Sequence, residues 1–159
     1  MKHIERAHKA SSRKNIQAIA VAINSPGGSA VQSAIMADKL RVFSQQLKVP
    51  LYTFAEDLAA SGGYWLLSEG DKVFANKSSL VGSIGVISAT VNMRGLFDRT
   101  KIKRHSFLTS DKLLEWRFDP LRERKEGELM TKEEEEFFMK LMDEVQADFH
   151  GHVLRHRGQ

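Results

Sequence analysis

Two glycine-containing turns carry the residue types that acyl-transfer chemistry needs, and each follows an apolar segment. The first turn spans residues 24–28 (NSPGG), and the second spans residues 59–64 (AASGGY). Glycines at such positions let backbone N–H groups face a ligand with no Cβ in the way. A helix that starts there adds partial positive charge. Such a turn can hold a phosphate, a carboxylate or the oxyanion of a tetrahedral intermediate.

Ser61 in the second turn is the candidate nucleophile. Its small neighbours would leave the hydroxyl exposed, give room to a substrate backbone and place an N–H group near a developing oxyanion. The alternative interpretation is that Ser61 only caps the following helix. A structural role would also explain the first glycine turn taken alone. The presence of both turns favours a functional site.

A serine nucleophile needs a base, and the sequence offers two kinds. His105 is the only histidine in the body of the domain, on a predicted strand over residues 102–107, but no orienting acid lies beside it. Lys112 follows in the stretch SDKLL; a lysine can act as a base where burial brings its pKa toward neutrality. On local sequence alone, Lys112 equally suits an exposed loop position.

The composition excludes several other chemistries. The 159 residues contain no cysteine, which excludes disulfides, thiolate metal sites and a cysteine nucleophile. The spacing of His150, His152 and His156 does not gather all three on one helix face, so we predict no metal site. No run of 18 apolar residues is present to span a membrane. The net charge of +4 is concentrated in a basic N-terminal arm, residues 1–15, for which a solvated tail suffices and nucleic acid is not expected.

The order of the apolar segments predicts the fold class. Strands and helices alternate with short connections, over residues 17–23, 30–47, 51–54, 64–67 and 72–75. This order predicts an α/β domain with a mainly parallel sheet. Ligands in such folds bind beyond the carboxyl ends of the strands, where both glycine turns lie. A last helix should begin at Thr131, with Glu134 completing a capping box, and residues 113–130 before it suggest a loop or lid.

Together with residues 81–86 (VGSIGV), the two turns resemble the signal peptide peptidase A type of Ser/Lys peptidases, which share the Clp protease/crotonase superfamily fold. The resemblance runs from about Ile19 to Met142. It implies a mainly parallel sheet with stacked βα units, incomplete at both ends in this chain, with residues 16–159 forming a single peptidase core domain. No cofactor is expected.

The resemblance also implies roles for individual residues. Ser61 matches the nucleophile, and Lys112, 51 residues later, matches the general base. The N–H groups of Gly28 and Gly62 match the oxyanion hole, and Ser83 matches the hydroxyl that orients the lysine. These roles imply amide hydrolysis through an acyl-enzyme.

One departure concerns the base. The family has a glycine a few residues before its lysine, whereas residues 108–112 read LTSDK. Asp111 could hold Lys112 in its charged form, which opposes its use as a base. Lys101 and Lys103 are therefore kept as alternatives.

The expected partners also follow from the resemblance. They are peptide substrates such as cleaved signal peptides, and further copies of the chain in a homo-oligomer whose subunits complete each other's active sites. Membrane association is expected only through segments absent from this chain. Two other functions stay open: a Clp-like Ser-His-Asp peptidase using His105, and a non-catalytic oligomeric scaffold or peptide-binding member, favoured by the missing glycine before Lys112.

Overall fold

A computed structural model describes residues 15–89, 91–103, 105, 107, 119–121 and 130–158 of the chain. The chain divides into two compact units, residues 1–86 with 145–159 and residues 87–144. The helices and strands are, in order, β1 (Ile19–Ser25), α1 (Ala30–Leu47), β2 (Leu51–Ala60), α2 (Gly62–Ser68), β3 (Lys72–Ala75), β4 (Leu80–Gly82), α3 (Arg94–Thr100) and α4 (Lys132–Arg157). Among these helices, none is both long and apolar enough to cross a membrane.

The four strands form one parallel sheet, which confirms the predicted α/β class with stacked βα units. The order is β1-β2-β3, and β4 also pairs with β2. β2 is longer than the predicted strand over residues 51–54 because it has two successive partners on one side. Its first half pairs with β3, from Tyr52 opposite Lys72, and its last residues pair with β4, from Leu58 opposite Leu80.

The continuous apolar run of residues 17–23 (QAIAVAI) predicts a parallel strand buried on both faces, and that prediction is wrong for β1. Ile23 is 5% exposed, whereas Ala20 and Ala22 are exposed. β1 stands at the end of the strand order, where it pairs with β2 alone among the described strands. A continuous apolar run is therefore compatible with an edge strand that buries alternate side chains.

Helix α1 has the bounds predicted from the sequence. The Ser29 side chain caps its start by accepting a hydrogen bond from the Gln32 N–H. At its other end Lys48 adopts the left-handed conformation (φ 55°), shortly before Pro50. Its inward face buries Ala37, Leu40 and Phe43.

Two apolar clusters fix the short helix α2. Leu67 packs with Ile23 and other residues of the sheet. On a second side Trp65 packs with Ala37 of α1 and stacks on Phe149 of α4, with ring centroids 4.9 Å apart. Because side chains of the sheet, α1 and α4 hold α2, the corner that precedes its first turn is also held in place.

Outside the sheet the sequence predicted one helix start correctly and one strand wrongly. Thr131 N–H donates to Glu134 Oε2 (2.9 Å) and Glu134 N–H donates to Thr131 Oγ1 (3.2 Å), which confirms the capping box of α4. The described residues of the predicted strand 102–107 form no strand, and Phe107 is 98% exposed. An apolar side chain without a surface to cover it gives a strand nothing to pack against. The basic arm and the predicted lid lie almost wholly outside the described residues.

A charged network connects α1 to the turn between α2 and β3. Arg41 Nε donates to Glu69 Oε1 and its Nη1 donates to Asp71 Oδ1, both at 2.7 Å. Asp71 Oδ2 in turn accepts from the Leu51 N–H at 2.7 Å. Partial burial acts to raise the pKa of Asp71, but the Leu51 hydrogen bond and the Arg41 guanidinium outweigh it and hold the pKa below its ordinary value of 3.8.

We expect Asp71→Asn to destabilise the fold in a pH-dependent way. A lowered carboxyl pKa means that its stabilisation is present above the unfolded-chain value and disappears as pH falls through the folded-state value. In urea unfolding, the free energy of unfolding of Asp71→Asn should therefore be lower than that of wild type at neutral pH. The difference should close below about pH 3.8. Asp38→Asn, at an exposed position of α1, is the control. A difference in unfolding free energy that does not change with pH would contradict the lowered pKa of Asp71.

Candidate active site

Ser61 occupies the corner between β2 and α2 in a conformation that few L-residues adopt. Its backbone has φ 50° and ψ −120°, and although it stands at the N-cap position its side chain makes no capping hydrogen bond. Such a backbone costs on the order of 1–3 kcal/mol and persists only where the surroundings impose it. Its N–H donates to the Gly82 carbonyl (2.8 Å) and its carbonyl accepts from the Trp65 N–H (3.0 Å). The interpretation of Ser61 as a helix-capping side chain is therefore wrong.

The first glycine turn lies directly against this serine. A Cβ added to Gly27 would stand 2.7 Å from Ser61 Cβ and 3.0 Å from Ser61 Oγ. Gly27 also has φ 117°, a backbone conformation that L side chains rarely adopt, and its N–H donates to Ser25 Oγ at 3.2 Å. Only glycine satisfies both requirements, so the NSPGG turn is shaped to leave room for the Ser61 side chain.

Gly28 and Gly62 are neighbours across this corner. A Cβ added to Gly62 would lie 3.4 Å from the Gly28 nitrogen and would collide with the Ser33 hydroxyl. Gly28 precedes α1 by two residues, and Gly62 is the first residue of α2. The N-terminus of the 18-residue α1 adds partial positive charge at the Gly28 side. The structure therefore brings together the two glycines predicted to form an oxyanion hole.

The third motif meets the same corner. Gly82, whose carbonyl accepts from the Ser61 N–H, is the last residue of β4, and Ser83 follows it with φ 56° and an exposed side chain. The pairing of β4 with the last residues of β2 places the segment here. Ser83 is thus one residue removed from a direct backbone contact with Ser61.

The candidate bases are less completely described. Lys112 and the adjacent Asp111 lie outside the described residues. Lys101 and Lys103, the alternatives, are exposed, and Lys101 ends α3 in the left-handed conformation (φ 57°). His105 is exposed as well. All four candidates belong to the second compact unit, residues 87–144, so the base for Ser61 remains a prediction.

An apolar cleft of about 650 Å³ opens beside the glycine corner. It is lined by all of β1 and by Met36, Leu40 and Phe43 of α1, and it extends to Gly28 and Gly62. Its walls are mainly apolar, and the polar residues Gln32 and Ser33 of α1 also line it. An apolar side chain held there would lie next to the two glycine amides.

Three residues of the corner were not singled out from the sequence. Gly27 fits the Ser61 side chain, Gly82 accepts its N–H, and Ser33 limits the space at Gly62. Ser33 is buried and donates to the Ser29 carbonyl (3.0 Å), a common arrangement for a serine inside a helix. Nothing in the sequence distinguishes such a serine from any other.

Comparisons with known proteins identify the family of the chain. A sequence model described as Peptidase family S49 matches residues 44–159, which include Ser61, Gly62 and the VGSIGV segment. The chain is 37% identical over 86 residues to a putative signal peptide peptidase SppA of Enterococcus faecium, covering 54% of this chain and 25% of that protein. It is 32% identical over 145 residues to the putative protease MJ0651 of Methanocaldococcus jannaschii, covering 90% of this chain and 43% of that protein.

A third relative has a different name. The chain is 39% identical over 99 residues to a Na(+)/H(+) antiporter NhaA of Brucella melitensis, covering 62% of this chain but 14% of that protein. The chain thus spans between 14% and 43% of the length of these three relatives. The family model covers well over half of the chain and includes the serine corner. The chain belongs to peptidase family S49.

Proposed function

We propose that the protein is a serine endopeptidase that hydrolyses peptide bonds through an acyl-enzyme on Ser61. The observation that carries this proposal is the corner itself. Ser61, at φ 50°, makes no capping hydrogen bond and lies against Gly27, which has no room for a Cβ. Gly28 and Gly62 lie side by side at the same corner. Strained backbone of this kind is typical of functional sites, where it fixes a reactive side chain.

The proposed reaction has two halves. The base takes the Ser61 hydroxyl proton as Oγ bonds to the scissile carbonyl carbon; the C–N bond then breaks and the base returns the proton to the leaving amine. Water next attacks the ester carbonyl and gives a proton to the same base, which restores the Ser61 hydroxyl as the acid product leaves. The N–H groups of Gly28 and Gly62 stabilise the negative oxygen in both tetrahedral intermediates.

We assign the base to Lys112, in keeping with its position relative to Ser61, and the orientation of its amine to Ser83. Supporting this assignment, Ser83 follows the residue whose carbonyl binds the Ser61 N–H. A neutral Lys112 requires that burial lowers its pKa by more than the adjacent Asp111 carboxylate raises it.

A series of single variants in the intact protein tests the choice of base. We expect Lys112→Met to lower kcat by at least about 10³-fold, because a Ser61 hydroxyl without its base is a weak nucleophile. The kcat of each of the variants Lys101→Met, Lys103→Met and His105→Ala should stay close to the wild-type value. A large loss in His105→Ala with activity retained in Lys112→Met would instead favour a Ser-His-Asp mechanism.

The cleft suggests which substrates the site prefers. Because its walls are mainly apolar and it extends to Gly28 and Gly62, we propose that it takes an apolar side chain beside the scissile bond. Membrane-derived peptides, including cleaved signal peptides, are rich in such side chains.

We expect Met36→Asp, at a half-buried position in the cleft wall, to lower kcat/KM for leucine-containing peptides about tenfold or more. Val31→Asp is the matched control, since Val31 lies on the same helix but is 65% exposed and outside the cleft. Competition between leucine- and aspartate-containing peptides measures the preference. An unchanged preference in Met36→Asp would rule out the cleft as the side-chain pocket.

We also propose that the active form is a homo-oligomer. In support, the stacked rings of Phe54 and Phe74, with centroids 4.8 Å apart, are 36% and 44% exposed. Leu80, in strand β4 of the same sheet, is 69% exposed. Exposed apolar surface of this kind is typical of an interface between chains. Light scattering of the intact protein, compared with a Phe74→Lys variant, measures the assembly.

A further inference from the structure

A second group of reactive side chains lies in the first compact unit, at the opposite end of α2 from Ser61. Glu69, which follows the last residue of α2, faces His152 and His156 of α4. Its Oε2 is 3.7 Å from His152 Nε2 and 3.4 Å from His156 Nε2. The two histidines are four residues apart and therefore share a helix face, with ring centroids 4.6 Å apart. One donor atom from each of the three residues falls within 4.8 Å of the others.

We propose that Glu69, His152 and His156 bind a divalent transition metal ion of the zinc type. Two imidazoles and one carboxylate form a common ligand set for such ions. With metal–ligand bonds of about 2.1 Å, tetrahedral geometry places neighbouring donor atoms about 3.4 Å apart. The two distances from Glu69 Oε2 are already close to that separation, and the donor atoms of all three residues lie within 4.8 Å of one another.

The surroundings of the cluster suit ligands rather than solvated surface residues. Glu69 and His152 are 3% and 5% exposed. Arg41 forms an ion pair with Glu69 Oε1, whereas Glu69 Oε2 faces the two histidines. Arg41 also forms an ion pair with Asp71. Hydrogen bonding to the second oxygen of a ligating carboxylate is the usual support of a metal site.

The histidines are also prepared for this role. The His152 ring stacks on Trp65, with centroids 4.8 Å apart, which fixes its orientation. The His152 Nε2 atom lies 3.0 Å from the Trp65 carbonyl oxygen, and coordination through Nε2 would replace that contact. His156 is partly exposed, which provides a path for the ion and room for a water molecule as fourth ligand.

The expectation of no metal site considered only the three histidines of one helix. Two of them share a face, and the third ligand comes from a residue 83 positions earlier in the chain. A bound ion would connect α4 to the end of α2, the helix whose first turn follows Ser61. The proposal concerns structure and does not depend on peptidase activity.

Metal binding can be measured on the intact, untagged protein after removal of metals with a chelator. Titration with Co²⁺ should give one equivalent of a tetrahedral absorption spectrum that Zn²⁺ displaces, and Zn²⁺ should raise the thermal unfolding midpoint. His156→Ala should weaken binding at least about 100-fold. His150→Ala, an exposed histidine on the same helix, should leave binding unchanged.

A wild-type protein without the tetrahedral Co²⁺ spectrum would overturn the proposal, as would a His156→Ala variant that binds like wild type. Equal losses in His150→Ala and His156→Ala would also overturn it, because they would indicate nonspecific binding to helix histidines. X-ray absorption of the wild-type Zn²⁺ complex counts the imidazole ligands without any variant. Two imidazoles and oxygen ligands are expected, and fewer imidazoles would contradict the assignment.

Discussion

Replacing Ser61 by alanine should lower peptide hydrolysis by a factor on the order of 10⁴ or more. The proposed mechanism routes every turnover through a covalent bond to Ser61 Oγ, and no other hydroxyl at the corner occupies the strained position between β2 and α2 among the described residues. Activity left in the variant would come only from the glycine amides and the binding cleft, which act without a nucleophile.

The folded state of Ser61→Ala should differ little from wild type. The side chain makes no capping hydrogen bond, so its removal leaves no helix end unsatisfied. Thermal unfolding of the variant tests this point, and Ser88→Ala, at an exposed position, is the matched control for activity. Turnover in Ser61→Ala equal to wild type would end the peptidase proposal.

Gly27→Ala should produce the second large loss, although the residue takes no direct part in the chemistry. The new methyl group would stand 2.7 Å from Ser61 Cβ and 3.1 Å from the Ala60 carbonyl, at a residue with φ 117°. Relief requires movement of the turn or of Ser61. Displacing a nucleophile by about 1 Å can cost on the order of 10² in rate, so we expect kcat to fall at least that far. Stability should fall by about 1–3 kcal/mol.

Gly95→Ala in α3 is the control for the Gly27 variant. A Cβ there meets nothing within 4 Å, and the residue lies inside a helix. Alanine is a better helix former than glycine, so activity should be unchanged and the free energy of unfolding should rise by up to about 1 kcal/mol. If Gly27→Ala kept the wild-type kcat, the close fit between the turn and the serine would have no catalytic meaning.

The sequence was sufficient for those elements whose signals are local. Helix α1 begins after the capping residue Ser29 and ends before Pro50, and both bounds could be read from residue types. The end of β2 could not, because its last residues continue the strand through pairing with β4 and with Ser25 of β1, which are distant in the sequence. β4 itself has three residues, too few for a period to emerge. The described residues of the strand expected over residues 102–107 form no strand, and the 98% exposed Phe107 side chain has no packing surface that would support one.

The candidate site also has features that could be predicted from the sequence and features that could not. The meeting of the two glycine turns followed from a topological rule, since the carboxyl ends of neighbouring parallel strands share one edge of the sheet. The fit of Gly27 to Ser61 and the cluster around Glu69 depend on contacts between distant segments. Glu69 and His152 are 83 residues apart, and no sequence period relates them.

Covalent labelling shows whether Ser61 is the nucleophile. The intact protein is treated with a serine-directed phosphonate that carries an apolar side chain, and the modified residue is located by mass spectrometry of its peptides. We predict one adduct, on Ser61, formed faster in wild type than in Gly27→Ala and absent from Ser61→Ala. An active protein that stays unlabelled at Ser61, or that is labelled at another serine, would contradict it.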